Sequence, residues 1–379
     1  MRFVHTADWQ IGKPFRAFAE RESLLHKARL DAIERLGQVA IAQGASHILI
    51  AGDLYDSEQP SVRTLREPIQ RMRRFPGITW HVIPGNHDPH RNGGPWDRLQ
   101  RDSVPDSVRL HLEPAPVAIG SEAVLLPSVL RRRSETADLT QWMDDAPSSP
   151  GVIRVGLAHG SVTGFGGEGE AGNPIAPDRA KKAGLDYLAL GDWHRTLEIS
   201  PSTWYAGTPE PDRFGSQETG QALLVDIAAA GAPPTVSTMR TGSFTWLKRE
   251  EHLGSEADIA AVVARLQAEG DGHTILRLKL SGALSVSART MLTDALVRLE
   301  AALAHLDADL TALAVRPTEA DLEAIDFGGV LREAAERLKA MAQDEALGQD
   351  QRRHASDALV ELYLLAASHG AEASAECAA

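Results

Sequence analysis

The stretch TWHVIPGNHD, Thr79 to Asp88, runs from an apolar strand-like segment through Pro84 and Gly85 into three polar residues, Asn86, His87 and Asp88. A strand that stops at a Pro-Gly turn delivers whatever follows to its carboxyl end. Four other segments repeat the arrangement: HTADWQIG (His5 to Gly12), AGDLYD (Ala51 to Asp56), LAHGSV (Leu157 to Val162) and ALGDWHRT (Ala189 to Thr196). The strand-like runs that feed them lie at Arg2 to His5, His47 to Ile50, Ile153 to Leu157 and Tyr187 to Leu190. A helix from about Glu20 to Gln43 carries Leu25, Ala28, Ala32, Ile33, Leu36, Val39 and Ala40 on one face. Strands alternating with helices predict a layered α/β domain, and in open α/β sheets the carboxyl ends of neighbouring strands share one crevice. Asp8, Gln10, Asp53, Asn86, His87, His159, Asp192 and His194 are therefore expected to converge there.

Carboxylates crowded together repel one another unless cations neutralise them, and neutral imidazole and amide oxygen complete hard-metal coordination. The set suits two divalent ions, which together clamp a phosphoryl group, lower the pKa of a bridging water and stabilise a leaving oxygen. Asp53, with two carboxylate oxygens, is able to bridge them.

Composition bounds the rest. The chain has 379 residues, and 39 Lys+Arg against 52 Asp+Glu leave a formal net charge of −13. That excludes a protein whose whole surface coats nucleic acid, though not a local basic strip. Cys377 is the only cysteine, so disulfide frameworks and cysteine zinc clusters are excluded. MRFVHTADW does not read as a secretory signal and no apolar run is long enough to span a bilayer, so a cytoplasmic protein without membrane association is expected.

Further apolar runs at Ala123 to Leu126, Ala222 to Ile227 and Thr235 to Met239 complete a sheet-rich domain over residues 1–240. Residues 244–316 then read strand, helix, strand, helix, strand, a small α/β capping domain, and residues 317–379 read as a helical tail. One stripe of the tail carries Phe327, Val330, Leu331, Ala334, Leu338 and Met341, another Leu359, Leu362, Tyr363 and Ala366; each packs on its own chain or docks on a partner helix. The glycine-rich run from Gly164 to Gly172 reads as a long mobile loop rimming the crevice.

The order D-x-Q, G-D-x-x-D, G-N-H-D, H-G and G-D-x-H resembles the calcineurin-type metallophosphoesterases, over roughly residues 1–215. HTADWQIG, GDLYD followed by Pro60 and Ser61, DYLALG and WYAGTPEPDRFG (Trp204 to Gly215) narrow the resemblance to the SbcD-type nuclease subunits of bacterial SbcCD and their double-strand-break repair relatives. The resemblance implies a four-layer αββα sandwich and metal-dependent hydrolysis of a DNA phosphodiester, by exonuclease and also endonuclease action. It implies Mn²⁺, with Mg²⁺ as the alternative, a homodimer, and an SbcC-like SMC-type ATPase as partner. Residue by residue it places Asp8, Gln10, Asp53 and His194 around one metal, and Asp53, Asn86, His159 and Asp192 around the other. His87 would be the general acid or transition-state donor, with Asp88 holding its ring and Asp56 standing behind the ligands. Gln10 and Asp192 depart from the family pattern, which has His at both positions. Gln10 is a weak neutral ligand, so the first metal is expected to be the looser.

Blander readings stand beside these. His5, His47, His81, His90 and His111 read as structural or surface residues, and Trp9 and Trp193 as packing walls. The arginine run is a solvated helix face by default; beside a phosphodiesterase site, Arg63, Arg66, Arg73 and Arg74 are candidate contacts for a nucleic-acid backbone. A small-molecule or cyclic-nucleotide phosphodiesterase, and a weakly active adaptor that anchors an ATPase to DNA, remain the alternatives.

Overall fold

The computed structural model describes residues 1–18, 21–102, 104–165, 172–215, 218–316 and 330–376, with side chains as far as residue 362. The chain divides into two compact units, Met1–Trp246 and Leu247–Ala379.

In the first unit, β1 (Arg2–Thr6), β2 (His47–Ile50), β3 (Thr79–Val82) and β4 (Val108–Leu110) lie side by side and parallel, and β13 (Thr219–Asp226) pairs antiparallel with the free side of β1. A second sheet has the order β11-β12-β10-β7-β6-β5, built from β5 (Val117–Ile119), β6 (Ala123–Pro127), β7 (Ile153–His159), β10 (Tyr187–Gly191), β11 (Thr196–Ser200) and β12 (Thr203–Ala206). The short strands β8 (Ser161–Val162) and β9 (Pro174–Ile175) pair apart from both.

The sheets pack face to face. Phe3, Leu49, Leu223 and Val225 of one meet Leu125, Val155, Leu157 and Tyr187 of the other in one apolar cluster. On the outer face of the first sheet, α1 (Glu22–Ala42), α2 (Val62–Met72) and α3 (Pro95–Arg101) bury Ile33, Leu36, Leu65, Ile69, Trp96 and Leu99 against Val4, Ile48, Ile50 and Trp80. The outer face of the second sheet is covered thinly, by the 3-10 turn Gln141–Asp144 and the one-turn helix α4 (Arg179–Lys182), which bury Met143 and Ala180 over Leu126, Leu188 and Leu190. The predicted αββα layering is therefore present, with a fourth layer reduced to turns.

Strand β14 (Thr235–Leu253) carries the chain from one unit into the next. The sequence reads as two strands parted at Thr241–Ser243, whereas the structure has one strand with a bulge opposite Thr219–Gln221. The bulge persists because Glu210 accepts hydrogen bonds from the Ser243 and Phe244 amides, at 2.6 and 3.0 Å, satisfying donors a partner strand would otherwise take.

In the second unit, α5 (Glu256–Glu269) and α6 (Val286–Ala302) pack on the parallel pair β15 (Thr274–Leu284) and β16 (His305–Val315) through Ile259, Leu266, Leu276, Leu278, Leu292 and Leu299. Helices α7 (Val330–Gln343) and α8 (Gln349–Glu376) follow. Leu359 is buried, but Val330, Leu331 and Met341 are exposed. Phe327, the Tyr363 and Ala366 side chains and most of the Gly164–Gly172 run lie outside the described residues. Among the described residues no helix is long and apolar enough to cross a membrane.

Candidate metal centre

Every residue in the centre follows a strand of the two facing sheets, and the backbone there turns sharply. Asp8, Gln10, Asp53 and Asp192 all have positive φ, at 55°, 42°, 54° and 108°; among the described non-glycine residues only Asn173 shares this. Left-handed backbone is unfavourable for side chains with a Cβ and collects at functional sites. The glycines preceding the ligands have a different reason: a Cβ on Gly52 would lie 2.3 Å from His159 Nδ1, and one on Gly85 would lie 2.2 Å from Asp53 Oδ1. The G-D and G-N pairs are therefore the spacing that lets two strand ends touch.

Asp8, Asp53 and His159 bring ligand atoms within 4.8 Å of one another, and all three are buried. His159 Nδ1 donates to the Ala51 carbonyl at 2.8 Å, which leaves the Nε2 lone pair facing Asp53 Oδ1 at 3.5 Å and Asp192 Oδ1 at 3.8 Å. Among the described side chains, His159 Nε2, Asn86 Oδ1 and, on the carboxylate that holds His194 Nδ1, Asp212 Oδ1 are buried atoms with no hydrogen-bond partner. Asn86 Nδ2 meanwhile donates to Asp192 Oδ1 at 3.3 Å, so its oxygen turns the other way. A lone pair, an amide oxygen and several carboxylates without donors are the chemistry of a cation site.

Charge shows the same demand. Burial pushes Asp8 up to about 7, with Asp53 and Asp192 adding to the shift and the two histidines opposing it. Burial alone would lower His159, but Asp53, Asp8 and Asp192 together carry it up to about 9. Buried carboxylates crowded in this way call for positive charge between them.

The other side of Asp53 is organised differently. His194 Nδ1 donates to Asp212 Oδ2 at 3.0 Å, and Lys13 Nζ reaches the same oxygen at 2.7 Å. Gln10 Nε2 lies 3.3 Å from Asp53 Oδ2 and 3.2 Å from His194 Nε2, while Gln10 Oε1 accepts from Lys13 Nζ at 2.8 Å. Burial opposes ionisation of Asp212, but the His194 hydrogen bond and the charges of Arg29 and Lys13 hold its carboxyl far below the usual range. Lys13, Arg29 and Asp212 carry no motif signal of their own; only Asp212, inside PEPDRFG, falls in a stretch the sequence singles out.

His87 stands at the rim, its side chain about a quarter exposed, with Nδ1 3.1 Å from the Asp56 carbonyl oxygen and Nε2 4.0 Å from Asp53 Oδ2. The expectation that Asp88 holds this ring is corrected: fully buried Asp88 instead accepts from the Tyr55 amide at 2.8 Å and the Gly85 amide at 2.7 Å. Its two oxygens are used up in pinning the loops after β2 and β3 together, and Asp56 faces His87.

Arginines of the strip face carboxylates of their own. Arg63 pairs with Glu67 at 2.8 Å, Arg66 with Asp102 at 2.8 Å and Arg74 with Glu34 at 2.6 Å, while Arg73 is exposed. None of the four lines the cleft of about 430 Å³ beside Asp192 and His194; Trp193, Arg195, Arg213, Phe214 and Gly215 do. Trp193 is thus a cleft wall, whereas Trp9, buried and bonded to Thr6 Oγ1 at 3.0 Å, is a packing residue as expected. His5 is structural, bridging the Tyr187 hydroxyl and the Leu190 carbonyl, and His47, His81 and His111 form a row across the first sheet.

The calcineurin-like phosphoesterase family model matches residues 1–196, more than half of the chain. An uncharacterized metallophosphoesterase, YhaO of Bacillus subtilis, is 24% identical over 65% of this chain and 62% of its own. The SbcD component of the SbcCD nuclease of Rhodobacter capsulatus is 26% identical over 62% of this chain and 68% of its own. The DNA double-strand break repair protein Mre11 of Methanosarcina acetivorans is 22% identical over 65% of this chain and 40% of its own. The chain thus spans less than two thirds of the length of two of these relatives.

Proposed function

Because the chain belongs to the calcineurin-like phosphoesterase family, we propose that it is a divalent-metal-dependent phosphodiesterase whose substrate is DNA, acting as an exonuclease and also as an endonuclease in DNA repair. The observation that carries this reading is the buried cluster of Asp8, Asp53 and His159, whose ligand atoms lie within 4.8 Å of one another beside the partly exposed His87. This cluster with Asn86 and Asp192 fits a hard divalent ion, Mn²⁺ or Mg²⁺, which when bound polarises a phosphoryl oxygen and acidifies water.

The chain's own groups do the rest. His87 Nδ1–H donates a hydrogen bond to the Asp56 carbonyl, leaving Nε2 to carry the proton delivered to the departing oxygen. Arg195 and Arg213 set positive charge in the cleft for the backbone on either side of the scissile bond, and Trp193 and Phe214 offer faces to the bases. A nuclease component and a repair protein among the relatives support DNA over a small phosphodiester. Homodimerisation, an SbcC-like ATPase partner and a cytoplasmic setting belong to the same proposal.

The test is purified full-length protein with end-labelled linear DNA and a chromogenic phosphodiester, in Mn²⁺, Mg²⁺ or chelator, beside His87→Ala. Metal-dependent DNA cleavage that disappears in His87→Ala is expected. Cleavage of the chromogenic substrate alone would favour a small-molecule enzyme, and DNA binding without cleavage would favour an adaptor.

A further inference from the structure

The two sides of Asp53 differ in what their acceptors still lack. On the Asn86 and His159 side, two buried acceptors have no donor. On the Gln10 and His194 side the acceptors facing Asp53 are served, and the buried atom without a partner, Asp212 Oδ1, belongs to the carboxylate on the other ring nitrogen of His194. His194 Nδ1 donates a hydrogen bond to Asp212, and its Nε2 faces the Gln10 amide nitrogen, which also reaches Asp53. The one Gln10 atom able to ligate a cation, Oε1, is turned onto the Lys13 ammonium. Reversing the amide would set its NH₂ against that ammonium and its oxygen against the Asp53 carboxylate, exchanging hydrogen bonds for two repulsions. Nor is the group free to swing. The Gln10 backbone is left-handed, its N–H donates to the Asp53 carbonyl at 2.9 Å, and Lys13 is anchored by Asp212 as well.

We propose that the centre takes a single divalent ion, held by Asp8, Asp53 and His159 with Asn86 and Asp192, and that the Gln10–Lys13 pair fills the place of a second. The inference rests on the proposed function only in concerning the same site. Charge supports it. Lys13 at 2.7 Å and buried Arg29 at 3.9 Å both face Asp212, and these two cations with one divalent ion balance Asp8, Asp53, Asp192 and Asp212. A second divalent ion would enter beside a fixed ammonium and a hydrogen-bond donor, both of which repel it. Polarised by Lys13, the amide is the stronger donor to Asp53 and passes on part of the charge a metal would supply.

The experiment counts ions. Full-length protein is stripped with chelator, reloaded with Mn²⁺ and desalted; manganese per chain is measured by mass spectrometry, and its spin state by low-temperature EPR. One manganese per chain with an isolated six-line signal is expected, and two per chain or a spin-coupled signal would overturn the proposal. The double variant Gln10→His, Lys13→Ala should gain a second ion and the coupled signal; a folded double variant that still takes one ion overturns the role given to the pair. Lys13→Met, which releases Gln10 Oε1 without changing the ligand positions, should show a weak second binding event in calorimetric titration, and its absence counts against the pair in the same way. If the wild type binds one ion and leaves DNA uncut, the function fails and the stoichiometry stands.

Discussion

His87 presents one ring nitrogen to the reaction zone because the other is committed to the Asp56 carbonyl. His87→Ala should lower kcat on a phosphodiester by about 10²- to 10⁴-fold, the usual contribution of a positioned acid. Bound manganese should stay at the wild-type level, since the ring is not among the metal's holders; a parallel loss of metal would contradict the role. The pH dependence of stability belongs to the same residues. Asp8, Asp88 and His159 all have folded-state pKa values above their unfolded ones, near 7, 8 and 9, so the native state holds more protons than the unfolded chain. The stability they lend is present at low pH and is lost as pH rises through those values. In chelator, the melting temperature should fall as pH rises from about 4, where the carboxyls ionise in the unfolded chain, to about 9, and Mn²⁺ should raise and flatten the curve. A metal-free curve level across that range would refute it. That Asp8, Asp53 and His159 would converge was legible because Asp and His beside Gly after an apolar run are rarely there for packing. The partner of Asp88 was not, because adjacency in sequence to His87 says nothing about which amides fold back over a carboxylate.

At the scale of elements, Asp88 ties the loop after β2 to the loop after β3. Asp88→Ala would strand two buried amides and should cost about 2 kcal/mol or more of unfolding free energy. It should also weaken Mn²⁺ binding, because Asp53 and Asn86 sit on the two loops it joins; calorimetric titration beside chemical denaturation reads both, and unchanged metal affinity would show that the loops hold register without it. The strands feeding the centre could be read from sequence because buried parallel strands are short apolar runs. β14 could not be read whole: Thr241, Gly242 and Ser243 look like a break, and only the distant Glu210 carboxylate makes them a bulge. The thin fourth layer was equally hidden, since Met143 and Ala180 cover a sheet from turns that carry no helical periodicity.

At the scale of the whole molecule, a net charge of −13 opposes any approach to DNA, and the arginines of α2 do little against it because most already face carboxylates. Arg195 and Arg213 lie in the cleft instead. Replacing either with Ala should weaken DNA binding and reduce the slope of log affinity against log salt by about one, whereas Arg66→Ala or Arg74→Ala should leave it unchanged. Filter binding across a salt series checks this, and a reduced slope in the α2 variants would return the strip to the interface. These two arginines escaped the sequence reading because they flank conspicuous motifs and belong to no run. The left-handed backbone at Asp8, Gln10, Asp53 and Asp192 also bears on how the molecule spends its stability. Side chains at such positions cost on the order of 1 kcal/mol each, and together they are a sizeable part of a domain's net stability of about 5–15 kcal/mol. Glycine would relax the backbone at any of them but would remove the side chain. The crevice is therefore the part of the first unit that the surrounding sheets must hold in place against its own local preference.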